Sequence, residues 1–123
     1  MRTRISIAFV IRIKSRSPGA KNKKGMGGIA EITGFMDRAR GDPRIGPLHV
    51  SLYLAIVYCW VQQGSQGPAL VSGRELRPLA KITGGTPFYR AIRQLNAYGY
   101  IVYEPSFNPA VKSKVFLSVS AGG

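Results

Sequence analysis

Acidic residues are scarce in this sequence, which has five Asp and Glu but 18 Lys and Arg. The formal net charge is +13 and the pI is near 10.6. The clustered carboxylates that a metal-dependent nuclease needs are therefore lacking. A single histidine cannot build a nucleophile–base pair, and no glycine-rich phosphate loop ending in Lys-Ser or Lys-Thr is present. The sequence predicts a protein that is not an enzyme and that uses no cofactor.

Cysteine and long apolar runs are scarce as well. One cysteine cannot close an internal disulfide, and with one histidine it cannot complete a Cys-rich zinc site. No run reaches the roughly 18 apolar residues of a membrane-spanning helix. The first residues resemble a secretion signal only in part, since Arg12 and Lys14 interrupt their apolar run. We expect a cytoplasmic protein with no membrane partner and no small-molecule ligand.

Positive charge is concentrated at the start of the chain. Residues 1–24 carry eight Lys and Arg and no acid, whereas the rest has a net charge of +5. Residues 4–13 alternate like an isolated strand, and a Lys-, Ser- and Gly-rich linker follows. We therefore predict a basic, flexible arm over 1–27 and a domain over 28–123, with its core at about 42–119. Such an arm favours a polyanionic partner, although a solubilising tail on an ordinary domain explains it too. A translation start at Met26 or Met36 is a further hypothesis.

Two helices are predicted in the first part of this domain. The segment 29–40 places four apolar residues on one side, and the turn GDPRIGP follows it. Pro47 at a first helical position then begins the strongest helix of the chain, which ends before Gly64. Its apolar stripe includes Cys59, which we interpret as a packing residue. The apolar residues predicted to face inward from the first helix are Ile29, Ile32, Phe35 and Met36.

A short strand, two helices and a hairpin are predicted next. Leu70-Val71 is the short strand, and the S-x-x-E capping box at 72–75 begins a helix that runs to about Lys81. A turn with positive φ at Gly84 and Gly85 leads to a helix at about 87–98, which ends at Gly99. In this prediction Thr86 is the N-cap residue and Pro87 the first helical residue. After Gly99 the apolar residues recur at every second position, which predicts strands at 100–104 and 115–119.

This order of elements resembles the winged helix-turn-helix. The stretch from about Asp42 to Val119 is similar to small winged-helix DNA-binding proteins encoded on bacterial mobile elements. The segments that carry the resemblance are GPLHVSLYLAIVYCWV, SGRELRPLAKITGGTPFYRAIRQLNAYGYIVYEPSFNP and KVFLSV. The resemblance covers about two-thirds of the chain. It implies a mainly α fold with a small β-hairpin (α+β). It also implies a nucleoid-associated regulator of transcription, or a mobile-element accessory factor, that binds duplex DNA sequence-specifically.

The helix at 87–98 has the composition of a recognition helix. Phe88, Ile92 and Leu95 are spaced to face the core, and Arg and amide side chains that can read guanine and adenine occupy the opposite face. Arg77 is expected to support this helix against the DNA backbone. By resemblance, the hairpin at about 100–119 is a wing that touches phosphates or the minor groove. The candidate DNA-binding residues are Arg77, Thr86, Tyr89, Arg90, Arg93, Gln94, Lys112 and Lys114, with Asn96 beside them.

Other interpretations remain open at this stage. The basic composition also fits an RNA-binding or ribosome-associated protein, and some winged helices bind only other proteins. Three tyrosines at 98, 100 and 103 either stack on bases or pack the hairpin against the preceding helix, and we favour packing. A homodimer would match palindromic half-sites, with 28–40 or the long helix as its interface.

Overall fold

The computed structural model describes residues 22–117 of the chain, with side chains from residue 28 onward. The predicted strand at 4–13 therefore lies outside the described residues. Four helices and a three-stranded antiparallel sheet form the described part, so the α+β class expected from the sequence is confirmed. The elements are α1 (Asn22–Ala39), α2 (Pro47–Gln62), β1 (Ala69–Val71), α3 (Gly73–Ala80), α4 (Gly85–Ala97), β2 (Val102–Glu104) and β3 (Ser113–Phe116).

The sheet has the strand order β1-β3-β2, so β3 lies between two strands that are far apart in sequence. Ala69 pairs with Val115 on one side, and Val102 pairs with Phe116 on the other. Within β1 the side chains alternate, with Ala69 and Val71 buried and Leu70 exposed. The predicted strand 100–104 begins two residues too early, because Tyr100 is buried in the core before β2. The predicted strand 115–119 begins two residues too late, since β3 starts at Ser113, and its residues 118–119 lie outside the described residues.

The core lies between α2 and the elements that surround it. Leu52 and Ile56 of α2 are fully buried, and α2 packs on α1, α3, α4 and β1. Phe88, Ile92 and Leu95 of α4 are buried as predicted. This packing turns the opposite side of α4 outward.

The first helix differs most from its prediction. It begins at Asn22, so residues 22–28, which were predicted as linker, are helical. Its buried side contains Gly28 and Phe35, whereas Ile29 and Met36 are exposed. A Cβ at Gly28 would lie 2.7 Å from Cγ2 of Val61 in α2. The glycine therefore allows close packing of two helices, which outweighs its low helix propensity.

The start of α4 also corrects a prediction. The N-cap residue is Gly84, with φ of +103°, and the helix begins at Gly85. Thr86 is therefore not the N-cap but an exposed residue of the first turn. Positive φ was predicted at both glycines of the turn, but only Gly84 has it, and Gly85 is already helical. The turn therefore needs one glycine at the cap position, and the helix begins two residues earlier than predicted. The predicted end is confirmed, because Gly99 has φ of +87° just beyond the helix.

Candidate nucleic-acid interface

The outer face of α4 is formed by Thr86, Tyr89, Arg90 and Arg93, all of which are exposed. Three- and four-residue spacing places these side chains on the same side of a helix, opposite the buried Phe88 and its partners. The helix contains no Asp or Glu, so the field of this face is positive. In the described part of the chain neither arginine has an ion-pair partner. The two guanidinium groups are thus available to an incoming acceptor.

The side chains of Arg77, in the last turn of α3, and of Tyr89, in α4, each reach the N-terminal end of the other helix. A Cβ added at Gly85, the first residue of α4, would lie 3.4 Å from Nη1 of Arg77. A Cβ added at Gly73, the first residue of α3, would lie 3.1 Å from the Tyr89 hydroxyl oxygen. Helix N-termini carry partial positive charge and unpaired backbone N–H groups, which suits a phosphate. The structure therefore brings the predicted support residues, Arg77 and Tyr89, beside two helix N-termini.

Gln94 does not take the position expected of a base-reading residue. Its Oε1 lies 2.8 Å from Nε2 of His49 in α2, and the side chain is half-buried. The amide of Gly46 donates to Nδ1 of His49 at 2.9 Å, so the ring proton is on Nε2 and is donated to Gln94. The correction has a simple cause: Gln94 is at the side of α4 that contacts α2. Asn96 is also engaged, since its Oδ1 accepts from the backbone N–H of Tyr103 at 2.9 Å.

The two lysines of the predicted wing are placed differently from the expectation. Nζ of Lys112 lies 2.9 Å from Oε2 of Glu75 in the first turn of α3, so its charge is already paired. The cause is the pairing of β1 with β3, which brings Lys112 beside the start of α3. Only half of the predicted capping box is present. The backbone N–H of Glu75 donates to Oγ of Ser72 at 3.3 Å, but the Glu75 carboxylate binds Lys112. Lys114 is exposed in β3, paired in register with Glu104.

A cluster of arginines and tyrosines holds the end of α4. The hydroxyl of Tyr100 donates to Asp42 at 2.8 Å, and the guanidinium of Arg44 donates to both carboxylate oxygens of Asp42. The hydrogen bonds from Arg44 hold the pKa of Asp42 well below its usual range. Arg44 also lies over the ring of Tyr98, at 4.1 Å from its centroid, and Arg38 covers Tyr100 at 4.2 Å.

These contacts show whether the tyrosines pack within the protein or are exposed for stacking on bases. Tyr100 is buried with its ring against Phe35 of α1, and Tyr98 is half-buried under Arg44. Both side chains therefore pack within the protein, but against α1 and the loop after it, whereas the prediction placed them between the hairpin and the preceding helix. No role was predicted for Arg38 or Arg44, because the tyrosine rings that they cover lie more than 50 residues away in sequence.

Two further residues near the interface were not identified from the sequence. Arg74 is exposed in the first turn of α3, beside the Tyr89 hydroxyl group at Gly73. Phe107 is 93% exposed in the loop between β2 and β3. The capping sequence S-G-R-E was a usable signal for Arg74, because it places that side chain at a helix N-terminus. The signal for Phe107 was a large apolar residue in a loop of Pro, Asn and Ser.

The described residues contain no group of three or more metal-binding side chains and no helix that could cross a bilayer. A buried polar pair lies away from the interface, between α1 and α2. Oε1 of Glu31 and the hydroxyl of Tyr53 have no hydrogen-bond partner there, and burial together with the Glu31 charge raises the pKa of Tyr53. No protein-family model, curated protein or solved structure matches the chain. The functional argument therefore depends on this geometry.

Proposed function

We propose that the chain is a winged helix-turn-helix protein that binds duplex DNA in a sequence-specific manner. The order of its elements supports the fold, because α3 and α4 are followed by a hairpin whose second strand also pairs with β1. The single observation that carries the function is the outer face of α4. It presents two arginines, which have no ion-pair partner among residues 22–117, on a helix whose other side is fixed in the core.

In the proposed complex α4 lies in the major groove. This groove is wide enough to admit a helix, and an arginine can donate two hydrogen bonds to O6 and N7 of guanine. Arg90 and Arg93 are the base-reading residues. Thr86 in the first turn of α4 contacts phosphate, and so do Arg77 and Tyr89, because their side chains reach helix N-termini that favour anions. Lys114 adds a phosphate contact from the hairpin.

The proposed cellular role follows from this binding mode. A small basic protein that reads a DNA sequence acts as a transcriptional regulator or as a mobile-element accessory factor at the nucleoid. The eight Lys and Arg of residues 1–24 add salt-dependent affinity that does not depend on sequence. A homodimer on a palindromic site is the proposed assembly, and the symmetry of the bound sequence reports it.

Selection from random duplex DNA by the full chain, at near-physiological salt, tests the proposal. We expect one short motif to be enriched. Arg93→Ala should weaken binding to that motif by about 1–3 kcal/mol and reduce the preference at one or two base pairs. The matched control is Arg40→Ala, which removes an exposed arginine at the end of α1, away from the outer face. Equal losses in the two variants would contradict base reading by Arg93.

A protein-interaction module is the second candidate, and a groove between α2 and α3 favours it. Pro47, Val50, Leu54, Tyr58 and Leu79 line this groove, and Leu54, Tyr58 and Leu79 are each more than 40% exposed. No Lys or Arg is among its lining residues, so a polyanion has no charge to recognise there. If selection enriches no motif and Leu54→Ser abolishes self-association in analytical ultracentrifugation, this candidate replaces DNA binding.

A further inference from the structure

The loop between β2 and β3 ends in an apolar tip. Phe107 is 93% exposed, more than any other large hydrophobic residue in the described part of the chain, and Val111 nearby is 54% exposed. Residues 105–111 contain two prolines and no charged side chain. The basic tip expected of a phosphate-binding wing is therefore replaced by an aromatic ring that water surrounds on nearly all sides.

Hydrogen bonds within the loop fix the backbone on both sides of this ring. The backbone N–H of Ser106 donates to Oγ of Ser113 at 3.0 Å, and that of Asn108 donates to Oγ of Ser106 at 3.2 Å. The backbone N–H groups of Ala110 and Val111 donate to Asn108 at 2.9 Å each. A ring held outward by an ordered backbone loses little conformational entropy when it binds, which is the condition for a preorganised contact.

The loop lies next to the proposed DNA-binding surface. Lys112, at its end, is bonded to Glu75 in the first turn of α3. The hydroxyl of Tyr89, from the outer face of α4, reaches Gly73 at the start of the same helix. The N-terminal end of α3 is therefore flanked by α4 and by the loop. If α4 lies in the major groove as proposed, the groove next to it along the duplex is the minor groove, and the loop is the neighbouring element that could meet it.

We propose that Phe107 is an apolar wedge that enters the minor groove, partly unstacks one base step and kinks the duplex. This inference rests on the proposed function. Phenylalanine is among the residues that act in this way in minor-groove proteins, and pyrimidine–purine steps are the easiest to open. The tip uses no hydrogen bond to the bases, so the contact selects deformable steps and not a fixed sequence.

The first experiment measures the bend and the affinity together. The full chain is titrated into a duplex of about 24 base pairs, roughly two helical turns, with a central TA step and a fluorophore at each end. We expect the wild-type complex to show a shortened end-to-end distance. Phe107→Ala should straighten the duplex and weaken binding by about 5- to 150-fold, the range measured for base–aromatic stacking. Phe107→Leu should keep the bend, and Val111→Ala, in the same loop, should behave as wild type.

The second experiment reports stacking directly. Trp60 is replaced by Phe, and a new tryptophan is introduced at Phe107 or, as the control, at Val111. The emission of the tryptophan at 107 should be quenched when the duplex binds, and that of the control should change little. If both keep their emission and the wild-type complex is straight, the wedge is refuted. Arg93→Ala still tests the proposed function in that case. If the wild type prefers single-stranded DNA, or binds no duplex, the wedge and the proposed function are both refuted.

Discussion

Two adjacent residues of α4, Arg93 and Gln94, allow the stability of the fold and the proposed recognition of DNA to be tested separately. Arg93 is exposed on the outer face, whereas Gln94 accepts a hydrogen bond from His49. We predict that Gln94→Ala destabilises the protein and leaves its sequence preference intact. Arg93→Ala should do the reverse, because its side chain has no ion-pair partner in the described part of the chain.

The size of the Gln94 effect follows from the burial of its partner. His49 is 9% exposed, and Gln94→Ala leaves its Nε2–H without an acceptor. An unsatisfied buried polar group costs about 1–3 kcal/mol. Gln94 is only half-buried, so water can enter the vacated space and replace part of the bond. We therefore expect a loss of about 1 kcal/mol, which lowers the Tm of a chain of this size by roughly 4 °C.

Urea unfolding followed by circular dichroism, with selection from random duplexes, measures the two effects. Gln94→Ala should lower the urea midpoint and enrich the same motif as the wild type. The control is Gln94→Glu, which keeps an acceptor for His49 and adds a negative charge near the DNA. It should remain close to the wild type in stability and weaken binding to all sequences alike. Wild-type stability combined with a lost base preference in Gln94→Ala would refute the reasoning.

Two further predictions concern ion pairs. The pKa of Asp42 is depressed in the folded state by its hydrogen bonds to Arg44, so its stabilising effect is complete well above the ordinary carboxyl pKa and is lost as the pH falls below about 4. The difference in urea midpoint between wild type and Asp42→Asn should therefore shrink from pH 6 to pH 3, and a constant difference would contradict the assignment. Glu75→Gln should cost less than about 1 kcal/mol in unfolding free energy, because its pair with Lys112 is nearly half-exposed. It should also steepen the salt dependence of duplex binding by a slope of about 0.9, because Lys112 is freed for phosphate; an unchanged slope in a salt titration would count against that contact.

Features with a local cause could be predicted from the sequence. Pro47 at the start of α2 and Gly99 after α4 act on the backbone at their own positions, and both boundaries agree with the structure to within a residue or two. The inward side of α4 follows from the spacing of its apolar residues. The candidate site was predictable to the same extent, since whatever lies opposite that side must be exposed.

Features that depend on distant partners could not be predicted. The hydrogen bond of Gln94 joins residues 45 apart in sequence, and the pair of Glu75 with Lys112 joins residues 37 apart. The helical state of residues 22–28 likewise depends on contact between Gly28 and α2. In each case a tertiary contact that composition and spacing do not reveal decided the outcome.

The same contacts determine which basic side chains are already paired within the protein and which can bind DNA in the proposed complex. Lys112 must leave Glu75 before it can meet a phosphate, and Arg44 is committed to Asp42. Arg90 and Arg93 are free of such pairs in the described residues, so an incoming guanine displaces only water. The hairpin loop instead presents Phe107, whose burial is favourable at any salt concentration. Duplex binding by this protein should therefore retain a salt-independent component, which Phe107→Ala removes and Arg93→Ala does not.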